Sequence, residues 1–230
     1  MAAEIEDYYV QQDKMYVATD CIIFGFDDGK LKLLIFKRRV KPFMEEWSLI
    51  GSFVRIDEAA KRVLAEITGL KNVFMEELKA YGKADRDPGF RCISIGQYAL
   101  IRIEDYDKKL IEIHGAHWYE LDEIPNLVLD HNQMVQDALG RLRQKARYQP
   151  IGFELLPEKF TIPQLQQLYE AIYQIELDAR NFRKKALSYN VLIKLEEKDK
   201  SSSKRGAFLY KFDDVNYQKL HKSGYNFEIS

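Results

Sequence analysis

"RVLAEITGL" (Arg62–Leu70) is the stretch on which the reading of the whole chain depends. Ala60, Val63, Leu64 and Ile67 recur at helical spacing, and Gly69 stands where a helix ends by turning left-handed. Val63, Glu66 and Ile67 stand at i, i+3 and i+4, so one helix face presents them together, one carboxylate and two hydrocarbons. Nearby Glu45, Glu46, Asp57, Glu58, Glu76 and Glu77 read as surface acids rather than a rebuilt metal site. The stretch therefore predicts a helix kept for packing and for the wall of a pocket.

Around it, strands alternate with helices. "MYVATDCIIFGF" (15–26) and "LKLLIFKRR" (31–39) are apolar, β-branched runs joined by "DDGK", whose Asp-Gly pair tolerates positive φ. "EWSLIGSFV" (46–54) reads as a third short strand, "FRCISIGQYALIRI" (90–103) as a long one and "AHWYEL" (116–121) as another. Asp130 offers an N-cap for a helix through "HNQMVQDALGRLRQKAR". Strands outnumber helices, which predicts an α+β domain, a mixed sheet with packed helices, over residues 1–150.

The pattern changes in "QPIGFELLPEKF" (149–160), where prolines and a glycine separate two periodic regions. A second domain is expected over 151–230. Thr161 and Gln164 match a capping box at the start of "TIPQLQQLYEAIY", and Asp178 can cap "DARNFRKKALSY". In that second helix Ala179, Phe182, Ala186 and Leu187 form the inner face, leaving Arg180, Asn181, Arg183, Lys184 and Lys185 largely outward. "NVLIKLEE" and "AFLYKFD" follow as strands around the basic loop "KDKSSSKRG", which contains Lys204 and Arg205. Helix, turn, basic helix and basic-tipped hairpin is the order of a winged helix-turn-helix.

The net charge of −1 points to no partner, but Arg180 to Lys211 holds ten basic and three acidic residues, a local +7. Such a block is commonly a solvated face; on the second helix of a helix-turn-helix it predicts double-stranded DNA. The polar start "MAAEIEDYYVQQDK" does not resemble a signal peptide, and no apolar run approaches the length of a membrane span. Cys21 and Cys92 lie in strand-like stretches and read as buried free thiols suited to a reducing cytoplasm. His114 and His117 have a ligand-like spacing without acidic or cysteine company, so no metal and no cofactor are expected.

The tail of the opening stretch resembles the Nudix box. Arg62, Leu64, Glu66, Gly69 and Leu70 match it, and "WSLIGSFV" takes the place of the usual approach to it. The resemblance implies a face of three glutamates for magnesium, a hard cation that wants several oxygen ligands, at the positions held here by Val63, Glu66 and Ile67. The front departs: Ser52 replaces a glycine, and three residues rather than seven separate Glu58 from Arg62. A depleted box ahead of a winged helix resembles the Nudix-related transcriptional regulators, over roughly Met15 to Phe212. One branch of that family senses ADP-ribose. Another, found in gut Bacteroidetes, senses L-arabinose, and "VLAEITGL" looks more like this second branch.

The resemblance implies a DNA-binding homodimer, assembled through the Nudix-like domain, that binds a sugar or sugar-nucleotide effector. Base and phosphate contacts are expected from Arg180, Asn181, Arg183, Lys184, Lys185, Lys204 and Arg205. Effector contacts are expected from Asp20, Lys37, Arg39, Trp47, Arg55 and Glu66, with Trp47 read equally as stacking surface or core. The competing expectation is a divergent magnesium-dependent hydrolase of nucleoside diphosphate derivatives with an appended module.

Overall fold

The computed structural model describes residues 15–53, 56–70, 73–105, 108–200 and 206–223, without the side chains of 56–60, 63, 105, 108, 110 and 111. In chain order the first domain runs β1 (Tyr16–Asp27), β2 (Lys30–Lys37), β3 (Trp47–Ser48), β4 (Ile50–Phe53), α1 (Ile56–Thr68), β5 (Phe74–Tyr81) and β6 (Cys92–Arg102). It continues through α2 (Lys108–Ile113), β7 (Ala116–Glu120) and α3 (His131–Tyr148). The second comprises β8 (Phe160–Thr161), α4 (Ile162–Tyr173), α5 (Ala179–Ser188), β9 (Leu192–Asp199), β10 (Ala207–Phe212) and α6 (Asp214–Lys222).

The first sheet is mixed. β1 pairs antiparallel with β2 and β4 and parallel with β6, while β5 closes one edge on β6 and β7 pairs with β2. Asp28 (φ 50) and Gly29 (φ 74) turn the β1–β2 hairpin, as the Asp-Gly pair predicted. β1 can be an uninterrupted "CIIF" run because both faces of the sheet are covered. Cys21 and Ile23 pack with Leu64 and Ile67 of α1, and Ile22 and Phe24 join the core that includes Met134, Ala138 and Leu142 of α3. Alternate residues thus serve opposite layers. Cys21 and Cys92 are both buried and form no disulfide with each other, and burial pushes the Cys21 thiol up to about 12.

Three expectations are corrected here. "EWSLIGSFV" forms two strands, β3 on β2 and β4 on β1, because the chain leaves one partner for the other at Leu49. β5, which contains Glu76 and Glu77, was not anticipated. Glu76 is no simple surface acid: it accepts from Tyr98 Oη at 2.6 Å and Lys145 Nζ at 2.5 Å, tying α3 to the sheet. Asp130 occupies the N-cap position of α3, but its side chain makes no capping hydrogen bond. Both its oxygens are taken by Arg86, at 2.6 and 3.0 Å.

The second domain follows its local signals closely. Thr161 and Gln164 form the reciprocal capping box of α4. Gln174 takes the left-handed conformation that ends it (φ 58), and Glu170 accepts from the Leu177 N–H to fix the turn. Asp178 then caps α5 by accepting from the Asn181 N–H at 2.8 Å. β8, β10 and β9 form a small antiparallel sheet, the wing. α3 reaches this domain directly, where Arg143 Nε donates to the Ile172 carbonyl at 2.8 Å. One buried core runs from Ile22 and Phe24 through α3 to Tyr169, Phe182 and Tyr210.

Candidate functional site

Two separate places concentrate functional chemistry. The first is a cavity of about 600 Å³ over the β1–β4 edge of the sheet, walled by Phe36, Lys37, Arg39, Lys41, Phe53, Ile67 and Phe90. Its floor is polar. Asp20 Oδ2 accepts from Ser94 Oγ at 2.6 Å, and Oδ1 lies 3.7 Å from His131 Nε2. Arg86 Nη2 stands 3.6 Å from Asp20 Oδ2 and 2.6 Å from Asp130 Oδ1. Gly51 is required by close approach rather than by its backbone angles: a Cβ there would stand 2.1 Å from Asp20 Oδ1.

The electrostatics of the floor follow from burial. His131 is 1% exposed, and desolvation lowers its pKa despite the neighbouring Asp20 and Asp130. Burial also works against the Arg86 charge, but the hydrogen bonds and charge of Asp130, with Asp20 further off, raise its pKa. The floor therefore pairs a fixed cation with carboxylates beside a neutral imidazole. Charged guanidinium–carboxylate hydrogen bonds of this kind are strong and directional, so the floor is preorganised.

Of the expected effector residues, Asp20, Lys37 and Arg39 line this cavity. Trp47 does not: it meets His117 and Tyr119 edge-on at 5.6 and 5.2 Å, with Lys37 Nζ 5.3 Å from its ring. That is the packing reading of the tryptophan. Glu66 also lies outside the lining, 62% exposed by side chain and paired with Arg62 at 3.7 Å. Arg55 falls outside the described residues. Sequence reasoning missed Arg86, Ser94 and His131. "ADRDPG" and "LDHNQ" look like loop and helix cap, and no local pattern links them.

Among the described side chains of α1, Glu66 is the one carboxylate, and the neighbouring position 67 on its face supplies no ligand. Ile67 is only 9% exposed and packs with Cys21, Ile23 and Leu34. Among the described residues no group of three His, Cys, Asp or Glu side chains is placed to hold a metal ion.

The second place is α5. Phe182 and Ala186 are buried, Phe182 meeting the Tyr169 ring at 5.6 Å. Arg180, Asn181, Arg183 and Lys184 are exposed on the opposite side and Lys185 is half-buried. No carboxylate among the described residues forms an ion pair with Arg180, Arg183 or Lys184. Elsewhere in the domain lysines are neutralised, as Lys159 is by Glu197 (2.7 Å) and Lys211 by Glu158 (2.6 Å). Lys204 and Arg205 at the wing tip lie outside the described residues. No helix among the described residues is long and apolar enough to cross a membrane.

A Nudix-like sheet domain joined to a winged helix whose second helix exposes Arg180, Arg183 and Lys184 is the architecture of a DNA-binding transcriptional regulator. Residues 152–212 match the NrtR DNA-binding winged helix domain family. The chain is 32% identical over 206 residues, 85% of its length, to the ADPR responsive transcriptional repressor NtrR of Acinetobacter baylyi, and covers 81% of that protein. It belongs to the NrtR family of Nudix-related transcriptional regulators. The structure of Shewanella oneidensis NrtR complexed with a 27mer DNA superposes with a TM-score of 0.79 at 27% identity, covering 92% of this chain and 97% of that one. Over 130 residues the chain is 30% identical to the ADP-ribose pyrophosphatase of Methanocaldococcus jannaschii, 55% of this chain and 76% of that one.

Proposed function

We propose that this chain is a catalytically inactive, effector-gated transcriptional regulator whose cavity takes a five-carbon sugar, free or carried in a nucleoside diphosphate. The observation that carries the proposal is the buried polar floor of Asp20, Arg86 and His131 beneath an opening lined by aromatic and basic side chains. Apolar walls with a few convergent polar groups are the usual make-up of a small-molecule site.

Two effectors are favoured by different features. The basic rim of Lys37, Arg39 and Lys41 would offset a pyrophosphate, which supports ADP-ribose, the effector in the name of the Acinetobacter relative. The apolar wall of Ile67 and Phe36, where a metal-bound pyrophosphate would need ligands, supports a neutral sugar such as L-arabinose. Calorimetry with each compound, followed by mobility shift on promoter DNA with and without it, separates the two. Failure of both to bind, with operator binding intact, removes the pentose reading and leaves the regulator.

DNA is read by α5. Arg180, Asn181 and Lys184 near its start would meet base edges, and Arg183, Lys185, Lys204 and Arg205 would meet phosphates. A single winged helix makes few contacts, so the active species is a homodimer assembled through the Nudix-like domain, 1–150, with 151–230 carrying the DNA contacts. Light scattering at micromolar concentration tests this. A monomer that still binds operator tightly overturns it.

A further inference from the structure

Among the described residues lining the cavity, two buried polar atoms make no hydrogen bond, Nε of Arg38 in the wall and Nε2 of His131 in the floor. Nε2 of His131 is fully shielded from solvent and makes no hydrogen bond. Its proton can be placed by chemistry. The backbone N–H of Leu49 donates to Nδ1 at 3.1 Å, so Nδ1 is an acceptor and the neutral ring carries its hydrogen on Nε2. Burial disfavours the imidazolium, so this arrangement is the resting state.

The nearest acceptor, Asp20 Oδ1, is 3.7 Å away, beyond hydrogen-bonding range. The side chains cannot easily close this gap. Ser94 Oγ holds Asp20 by its other oxygen, Gly51 crowds Oδ1 from one side, and the Leu49 N–H fixes the imidazole. His131 and Asp20 both line the cavity, a held donor and a held acceptor side by side and unsatisfied by each other. Leaving a buried donor unmade is costly, so the arrangement is tolerated for something that completes it.

We infer that Asp20 and His131 together read two neighbouring hydroxyls of the effector, a vicinal diol. One hydroxyl donates to Asp20 Oδ1, and its neighbour accepts from His131 Nε2–H. Adjacent ring hydroxyls stand at a separation comparable to that of the two protein atoms, and each can both donate and accept. Arg86, held by Asp130, keeps the carboxylate oriented from behind. This inference rests on the pentose reading above and adds which atoms confer selectivity. It also has a consequence for signalling. His131 is the first residue of α3, the helix whose later turns bond to the end of α4 in the DNA-binding domain, so the diol is read at one end of a rigid connection.

The test uses the full chain, with L-arabinose, D-ribose and ADP-ribose as probes in calorimetry, each sugar beside its 2-deoxy and 3-deoxy counterparts. His131→Asn retains an acceptor for the Leu49 N–H but has no atom at the Nε2 position. Asp20→Asn keeps shape while weakening the acceptor. Circular dichroism melts establish that each is folded, and if His131→Asn is not, Asp20→Asn carries the same test.

The expected result is at least a tenfold loss of affinity in each variant for whichever probe binds the parent protein. Removing one hydroxyl from the ligand should be costly for the parent protein and nearly without effect for His131→Asn, because the two changes remove the same contact. Undiminished affinity in both variants, or an equal deoxy penalty in variant and parent, overturns the diol assignment while leaving the pentose reading standing. Failure of all three probes to bind the parent protein overturns both.

Discussion

α1 and α5 are both short amphipathic helices whose inner faces are held by aliphatic or aromatic side chains, yet they use their charges differently. In α1, Ile67 is folded into the core beside Leu64, and the acid Glu66 forms an exposed pair with Arg62. In α5 the charges remain, and Arg180, Arg183 and Lys184 have no carboxylate paired with them. A helix with hydrocarbon on its inner face and its acid in a surface pair serves as a wall. A helix that exposes charge without a paired carboxylate is the one we propose meets an anion. The comparison teaches that burial and exposure of neighbouring positions, more than amphipathicity itself, separate the two helices.

The sharpest way to break the comparison is to remove the anchor of α5. Phe182→Ala takes a buried ring out of contact with Tyr169 and is expected to cost about 3–5 kcal/mol, read as a drop in the denaturation midpoint and loss of operator binding. A variant that melts like the parent protein would show that α5 is not seated as described.

Next in size are the exposed charges. Arg180→Ala or Asn181→Ala is expected to weaken operator binding by about 1–3 kcal/mol and relax the preferred sequence. Lys204→Ala and Arg205→Ala should weaken operator and scrambled DNA alike and reduce the salt slope by about one each. Unchanged affinities across the whole set of basic substitutions would make α5 a merely solvated face.

The cavity side is sharpened by pH. The folded-state pKa of His131 lies below its unfolded value of 6.5. Between the two the unfolded chain binds more protons, so stability is full above that value and falls as pH drops through it. The slope attributable to this residue is at most about 1.4 kcal/mol per pH unit. The groups facing the ring are Asp20, Asp130, Arg86 and Arg38, and their balance sets how far the loss extends. Denaturation of the parent protein and His131→Asn from pH 7.5 to 5 should converge as pH falls; parallel curves would refute the assignment.

The smallest effect belongs to Glu66. Both partners of its ion pair are more than half exposed, so Glu66→Gln should change stability by no more than about 0.5 kcal/mol. Sustained magnesium-dependent cleavage of ADP-ribose that disappears in this variant would reverse the comparison and make α1 catalytic.

The winged helix was legible residue by residue because its signals are local. A capping box spans Thr161 to Gln164, a cap spans Asp178 to Asn181, and the buried stripe of α5 repeats within one turn. The hairpin of β1 and β2 was legible for the same reason, from two turn residues and a period of two. β5 escaped notice because Glu76 and Glu77 interrupt its apolar pattern. The structure shows what makes them acceptable there, Tyr98 and Lys145 for the first.

The sequence by itself determined the β1–β2 hairpin, the capped helix pair of the second domain, the single acid among Val63, Glu66 and Ile67 and the basic helix, since each is written within a dozen residues or so. Only the tertiary structure decided the cavity floor. Asp20, Arg86, Ser94 and Asp130-His131 come from four segments, with contacts spanning 74 positions from Asp20 to Ser94, 82 from Leu49 to His131 and 44 from Arg86 to Asp130. Periodicity and capping reach no further than a few residues along the chain. The pairing of β1 with β6, and the docking of α3 across them, brings these side chains together and buries them enough for a single unpaired nitrogen to matter.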